Sequence, residues 1–334
     1  MENDEPEMFS APEVSIIVPT FRQGAYIGEC LDTLLAQTYT NFEVIIQDAY
    51  SPDQTKQECQ RRQEKDPRIH FFQEKDGGQS DAINRGIAKA RGKYWTWICS
   101  DDYWHNPKAL ELMLKELSQD RDEKYAGVFG RAQYVSEEGS FLSNYACVER
   151  DVDRDLFLDN WPLCQPASLL RLSLTRAIGG VNAKLNLGMD LDLFVRLLER
   201  GRKMLFVPVD IASVRVQPMS KSVLQQRQTG LTAIHVLKKN FPDYSISLNS
   251  KYLYQVIQSF IPACIFPMKS SRSRLLHHYW DCLEEGKNAW RYKVLFFFYR
   301  DKVALSFDFL MKAFFKISIE TTMWLGLLRD KRGL

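Results

Sequence analysis

The chain has 334 residues, 45% of them hydrophobic and 26% charged, enough apolar material for one large domain or two smaller ones, and this excludes a chain disordered throughout. Its 44 Lys and Arg offset 42 Asp and Glu, so net charge makes no case for nucleic acid as a partner. The 7 cysteines are scattered, include no Cys-x-x-Cys pair, and so point to a reducing compartment and offer no zinc site. Met1 is followed by Glu2, Asp4, Glu5 and Glu7, the reverse of a basic secretory start, and a cytoplasmic catalytic part is expected.

Val14 to Thr20 reads as an apolar strand, and Tyr26 to Ala36 carries Ile27, Leu31, Leu34 and Leu35 at helical spacing. Phe42 to Asp48 is a second apolar run that stops at an acid. A polar turn through Ser51, Pro52 and Asp53 then leads into a polar helix reaching about Lys65. A third strand covers Ile69 to Gln73, and a helix from about Ser80 to Ala90 ends at Gly92. The run Tyr94 to Cys99 is a fourth strand, and a helix follows Pro107. Strands alternating with helices of this length predict an α/β fold, a mostly parallel central sheet with flanking helices. Ligands in such sheets collect beyond the carboxyl ends of strands, where Asp48 and the Asp101/Asp102 pair both fall.

Beyond this point another strand is expected between Ala126 and Val135, then a loop or short helix from Tyr145 to Asp159. Leu187, Leu191, Phe194 and Leu198 start an amphipathic helix whose first turn holds Asp190 and Asp192, with Arg196 four residues after Asp192.

Ser100-Asp101-Asp102-Tyr103 places two adjacent carboxylates at an expected strand end, a pattern that suits a hard divalent cation with oxygen ligands. A solvated turn or a helix cap before Pro107 gives the same letters. Asp76-Gly-Gly-Gln-Ser-Asp81 is a turn entering a helix. Its glycines let the backbone approach a ligand, and its free N–H groups suit phosphate or sugar oxygens. A plain glycine-rich turn is the competing reading.

Taken together, four ordered segments resemble the family 2 glycosyltransferases. They are Val14-Ser-Ile-Ile-Val-Pro-Thr-Phe21, Gln37-Thr-Tyr-Thr-Asn-Phe-Glu-Val-Ile-Ile-Gln-Asp48, Asp76-Gly-Gly-Gln-Ser-Asp-Ala-Ile-Asn-Arg-Gly86, and Ala90-Arg-Gly-Lys-Tyr94 through Asp102. Order and spacing agree over about 100 residues, with a weaker match to about Gly201. The resemblance implies a GT-A fold and metal-assisted transfer of a sugar from a nucleotide-sugar donor, expected to be UDP-linked, with inversion at the anomeric carbon.

On this resemblance Pro19 and Thr20 wall the nucleotide pocket, and Asp48 accepts a hydrogen bond from the base; an ordinary turn cap is the competing reading of Asp48. Gly78, Gln79 and Asp81 become donor-site residues, with Asn84 holding the loop and Arg85 either offsetting phosphate or simply solvated. Asp101 contacts the ribose, and Asp102 binds Mg2+ or Mn2+. Asp190 is the general base that takes the acceptor hydroxyl's proton, and Asp192 supports the helix. Three positions depart from the family's pattern: Ala49 and Met189 stand where an acid is common, and Cys99 replaces the first acid of the acid-x-acid motif. Gln165 reads either as a sugar contact or as a structural residue, and Trp104 and His105 either frame the pocket or pack on the next helix. A noncatalytic nucleotide-sugar-binding protein and a metal-dependent nucleotidyltransferase are the alternatives; the second wants a basic residue near the glycine-rich turn, which Asp76-Gly-Gly-Gln-Ser lacks.

The expected organisation is a catalytic domain over 12–224, with a donor half to 125 and an acceptor half from 126, followed by a helical, aromatic-rich region over 225–334. Helical segments are expected at Leu231 to Lys239, Tyr252 to Phe260, Ser273 to Glu285 and Val303 to Ile319. None carries the roughly 18 uninterrupted apolar residues of a bilayer-spanning helix. Between Lys269 and Lys302, 8 Lys or Arg stand against 4 acids beside many aromatics. That balance suits either a small packed core or peripheral contact with an anionic membrane, where a lipid-linked glycan acceptor would be met.

Overall fold

The computed structural model describes residues 11–158, 161–217 and 226–242, all within one compact unit, Met1–Ile261. Its strands are β1 (Val14–Thr20), β2 (Phe42–Asp48), β3 (Ile69–Gln73), β4 (Tyr94–Trp97), β5 (Tyr103–Trp104), β6 (Tyr125–Val135), β7 (Phe141–Asn144), β8 (Ser168–Arg171) and β9 (Lys203–Arg215). The helices are α1 (Ile27–Leu35), α2 (Thr55–Gln63), α3 (Gln79–Lys89), α4 (Ala109–Leu117), α5 (Leu172–Ala177), α6 (Met189–Leu197) and α7 (Gln226–Asn240). The strands form one sheet in the order β3-β2-β1-β4-β8-β6-β9-β5, with β7 hydrogen-bonded to β6.

The sheet is mixed, which corrects the expectation of a mostly parallel one. β3, β2, β1 and β4 run parallel, as the βα alternation up to Trp97 requires. β8 then pairs antiparallel with both β4 and β6, and β5 and β7 are antiparallel additions to β9 and β6. Only β6 and β9 restore a parallel pair. The reason is local: β8 is reached through a 3-10 turn and an irregular segment rather than a crossover helix, so nothing forces it parallel.

All seven residues of β1 and of β2 are buried, because the sheet is covered on both faces. Val14, Ile16 and Val18 face one layer with Ile27, Leu31 and Leu34 of α1 and Leu110 and Met113 of α4. Ile17 and Ile45 face the other, with Ile83 and Ile87 of α3 and Leu191, Phe194 and Val195 of α6. Gly86 lets α3 cross β1 closely: a Cβ there would lie 2.5 Å from Ile17 Cγ2. In α7, Ala233, Val236 and Leu237 are buried in the same layer as α6. The expected helix at Leu231 to Lys239 is thus present, and the three expected beyond it lie outside the described residues. No helix among the described residues is long and apolar enough to cross a membrane.

Candidate functional site

Asp48 ends β2 with its side chain buried. Its carboxylate accepts from the Ser51 N–H at 3.1 and 3.2 Å, from Ser51 Oγ at 2.5 Å, and from Gln73 Nε2 at 2.8 Å. The turn-cap reading therefore holds as geometry, and three donors leave room for one more on a carboxylate that can accept about four. Thr20 is the register partner of Asp48 on β1, and the Pro19 carbonyl accepts from Ser100 Oγ at 3.5 Å. Three buried polar atoms in this region lack a partner: Thr20 Oγ1, Gln23 Oε1 and Gln47 Nε2. Buried polar groups are nearly always hydrogen-bonded, so three orphans at the carboxyl ends of two adjacent strands suit a ligand that supplies the missing bonds.

The glycine-rich turn is built as the sequence requires. Gly78 adopts φ +117°, beyond ordinary L-residues, and Asp76 Oδ1 accepts from its N–H at 2.9 Å. Asp81 folds back to accept from the Gly77 N–H at 3.0 Å and from Arg85 Nε at 3.1 Å. The Gly77 N–H first, and Arg85 with it, hold the Asp81 carboxyl below its usual range. Arg85 is engaged by Asp81 and Glu74. Gln79 Nε2 donates to Cys99 Sγ at 3.2 Å, which ties the start of α3 to the segment after β4.

Cys99, Asp101 and Asp102 each bring one ligand atom into a cluster within 4.8 Å. Asp102 is buried, and burial, with Asp101 adding to it, pushes its carboxyl well above the usual range. Opposing this is Arg215 at the end of β9, itself 4% exposed. Its N–H donates to Asp102 Oδ1 at 2.9 Å and its Nε to the Asp101 carbonyl at 2.9 Å, while its remaining nitrogens reach the Glu137 carbonyl and Glu29. Gln217 Nε2 donates to Asp101 Oδ2 at 2.6 Å. Two carboxylates this close, one of them desolvated, are the electrostatic setting that a divalent cation relieves. The oxygen of Asp102, with the charge of Asp101 beside it, fits Mg2+ or Mn2+; the Cys99 sulfur is the soft member of the group.

Asp190 lies in the first turn of α6, after Gly188 in the left-handed region at φ +64°. Burial pushes its carboxyl up to about 6, against a smaller lowering by the backbone N–H groups of Leu191 and of its own residue. The loop before α6 sits on the glycine-rich turn: Ser80 Oγ donates to the Leu185 carbonyl at 2.5 Å, and Asn186 Oδ1 lies 3.0 Å from where a Cβ on Gly78 would be. Burial first, then the charges of Asp102, Cys147 and Asp190, push the thiol of the buried Cys164 up. The structure brings Gln79, Cys99, Asp101 and Asp102 together, and the loop that leads to Asp190 packs on the glycine-rich turn through Ser80 and Leu185.

Other candidates turn out to be scaffold. Asp192 is 1% exposed and pairs with Arg196 at 2.7 Å, and Arg196 clamps the carbonyls of Ile178 and Gly180. Asn84 exchanges two hydrogen bonds with Val181, at 2.7 and 2.9 Å, and so holds the loop as expected. Gln165 Nε2 donates to the Trp97 carbonyl at 2.7 Å, and Trp104 Nε1 donates to the Pro166 carbonyl at 2.8 Å from full burial, so both pack rather than frame a pocket. Arg215 and Gln217 are site residues that sequence reading misses. Nothing in the letters Ser-Val-Arg-Val-Gln marks a partner of Asp102 that lies 113 residues away.

A model of the family described as glycosyl transferase family 2 matches residues 15–179, which span β1 to the turn after α5. The chain carries a family 2 glycosyltransferase domain. The chondroitin synthase of Pasteurella multocida (strain Pm70) is 28% identical over 200 residues, covering 60% of this chain and 20% of that protein. The chain thus spans about a fifth of the length of such curated relatives.

Two solved structures share the fold. S. aureus TarS 1-349 in complex with UDP-GlcNAc superposes with a TM-score of 0.54 at 16% identity, covering 74% of this chain and 71% of that one. The mannosyltransferase PcManGT from Pyrobaculum calidifontis, in complex with GDP-Man and Mn2+, gives 0.54 at 18% identity, covering 82% and 81%. At these identities the likeness establishes the GT-A-like fold, a central sheet with flanking helices.

Proposed function

We propose that this family 2 glycosyltransferase domain moves a sugar from a nucleoside-diphosphate donor, UDP-linked in our reading, to a hydroxyl of a glycan or lipid-linked glycan, with inversion. The reading is supported by the Asp101/Asp102 pair held by Arg215, beside the glycine-rich turn, together with a second acid, Asp190, whose carboxyl is raised to about 6. A general base works best when its acidity lies near the operating pH.

In this mechanism the nucleotide rests against Pro19 and Thr20 and hydrogen-bonds to Asp48 through its base and to Asp101 through its ribose. The glycine-rich turn, with Gly78 and Gln79, and the start of α3 offer N–H groups to the diphosphate or sugar oxygens; Asp81 shapes that turn by holding the Gly77 N–H. Asp102 would hold Mg2+ or Mn2+, which would supply charge neutralisation for the leaving diphosphate. Asp190 accepts the proton of the acceptor hydroxyl as its oxygen bonds to the anomeric carbon on the face opposite the breaking bond to diphosphate. One displacement inverts the centre, and no covalent enzyme intermediate forms. We place this chemistry in residues 12–224, and the basic, aromatic-rich sequence between Lys269 and Lys302 supports contact with an anionic membrane at its cytoplasmic face.

The test is a binding and donor-hydrolysis screen across nucleotide sugars, with and without Mn2+ or Mg2+. Binding of a UDP-sugar that strengthens with metal is expected. Failure of every nucleotide sugar in both conditions overturns the proposal.

A further inference from the structure

A polar cavity of about 480 Å3 opens on the surface beside β5 and β9, lined by His105, Asn106, Gln133, Asn144 and Asp210 together with Pro107 and Ala132. None of these residues has a part in the chemistry above. The volume lies in the range of small-molecule sites, about 300–1,000 Å3.

The polar groups in the lining are oriented by a buried relay. Ser213 is fully buried; its Oγ accepts from Gln133 Nε2 at 3.0 Å and lies 2.9 Å from His105 Nδ1. The Ser213 hydroxyl can donate to His105 Nδ1 or accept from it, and in either case the contact fixes the ring. Burial lowers the His105 pKa and favours the neutral ring, one nitrogen a donor and the other an acceptor. Gln133, having used its amide N–H on Ser213, keeps its Oε1 as an acceptor. Asn106 is fixed too, donating through Nδ2 to the Asp210 carbonyl at 2.9 Å and accepting from the Lys108 N–H at 3.0 Å.

The cavity therefore presents an imidazole and amide groups able to give or accept, and the exposed Asp210 carboxylate, with no Lys or Arg in the lining. An anion is disfavoured by Asp210. A bare divalent cation finds only one carboxylate where it wants six or more oxygens. An apolar ligand finds too little apolar surface. Pairs of donors and acceptors at fixed spacing, next to one carboxylate, match the adjacent hydroxyls of an uncharged sugar.

We infer that this cavity is a distal subsite for a neutral oligosaccharide, the part of an acceptor glycan remote from the reacting hydroxyl. The inference rests on the glycosyltransferase reading. Its place in the fold suits that role: Ser213 and Asp210 stand two and five residues before Arg215 on β9, roughly 7 and 17 Å along the strand at about 3.3 Å per residue. A ligand here leaves the donor site clear and reaches it only as a chain of several sugars.

The experiment is saturation-transfer NMR on the full chain with a mixture of neutral tetrasaccharides, in parallel with UDP-GlcNAc plus Mn2+ as the probe of the donor site. Transfer to at least one tetrasaccharide is expected in the parent protein, and its loss is expected in Gln133→Ala and in Asn144→Ala, with the UDP-GlcNAc signal unchanged in both. The inference is overturned if no tetrasaccharide receives saturation, or if the signal survives both substitutions. Loss of the UDP-GlcNAc signal in the parent protein, with saccharide binding intact, instead points to failure of the donor-site reading.

Discussion

Replacing Asp190 by Asn should abolish transfer and, at neutral pH, make the protein more stable. The carboxyl is raised from 3.8 to about 6 by burial, a difference of about two units, and each unit is about 1.4 kcal/mol of preference for the protonated form. Because the folded pKa is raised above the unfolded one, the folded state binds this proton more tightly. The ionised group thus costs the native state up to about 3 kcal/mol above pH 6, a cost relieved as pH falls from 6 towards 4. Asp190 is half-buried, and solvent screening reduces this to about 1–2 kcal/mol. Asn carries no charge, so urea unfolding at pH 7.5 should show Asp190→Asn more stable by that amount, with the gap closing steadily between pH 6 and pH 4. Turnover should vanish while donor binding persists, and parent activity should fall below about pH 6 as the base becomes protonated. An Asn variant that transfers sugar normally, or whose stability relative to the parent does not change with pH, refutes the assignment.

Asp102→Asn should lose Mn2+ binding, read by the electron paramagnetic resonance signal of the free ion, while remaining as stable as the parent at pH 7 or more so, since burial and Asp101 disfavour its charge. Arg196→Ala leaves the Asp192 carboxylate buried without its cation and frees two carbonyls, and should cost about 3–5 kcal/mol in chemical denaturation. Asn84→Ala removes both bonds to Val181 and should cost about 1–3 kcal/mol, with faster hydrogen exchange at the Val181 amide as the local readout.

The first hundred residues were legible because chemistry and pattern coincide there. Apolar strands stop at Asp48 and near Asp101, and helical spacing resumes at Ile27, Gln79 and Ala109. In the acceptor half the letters carry less. β8 has four residues and β5 two, too short for a periodic signal, and their antiparallel pairing depends on strands distant in the sequence, β4 and β6 for β8 and β9 for β5. Asp192 was readable as support because its partner Arg196 is one helical turn on. Arg215 was unreadable because its partners, Glu29, Asp101, Asp102 and Glu137, are joined only by the fold. The relay through Ser213 is hidden for the same reason: a serine within a strand gives no sign that it will orient a histidine 108 residues earlier.

The reach of Arg215 sets an order of events during synthesis. Asp101 and Asp102 emerge from the ribosome more than a hundred residues before the cation that accompanies them, and β5 acquires its sheet partner only when β9 is added. A nascent chain that has completed the parallel strands has the frame of a nucleotide pocket but two adjacent carboxylates with no guanidinium between them and the rest of the protein. If the proposed function holds, competence to bind the donor arrives with β9, and truncations ending before Lys203 should retain secondary structure without a working site.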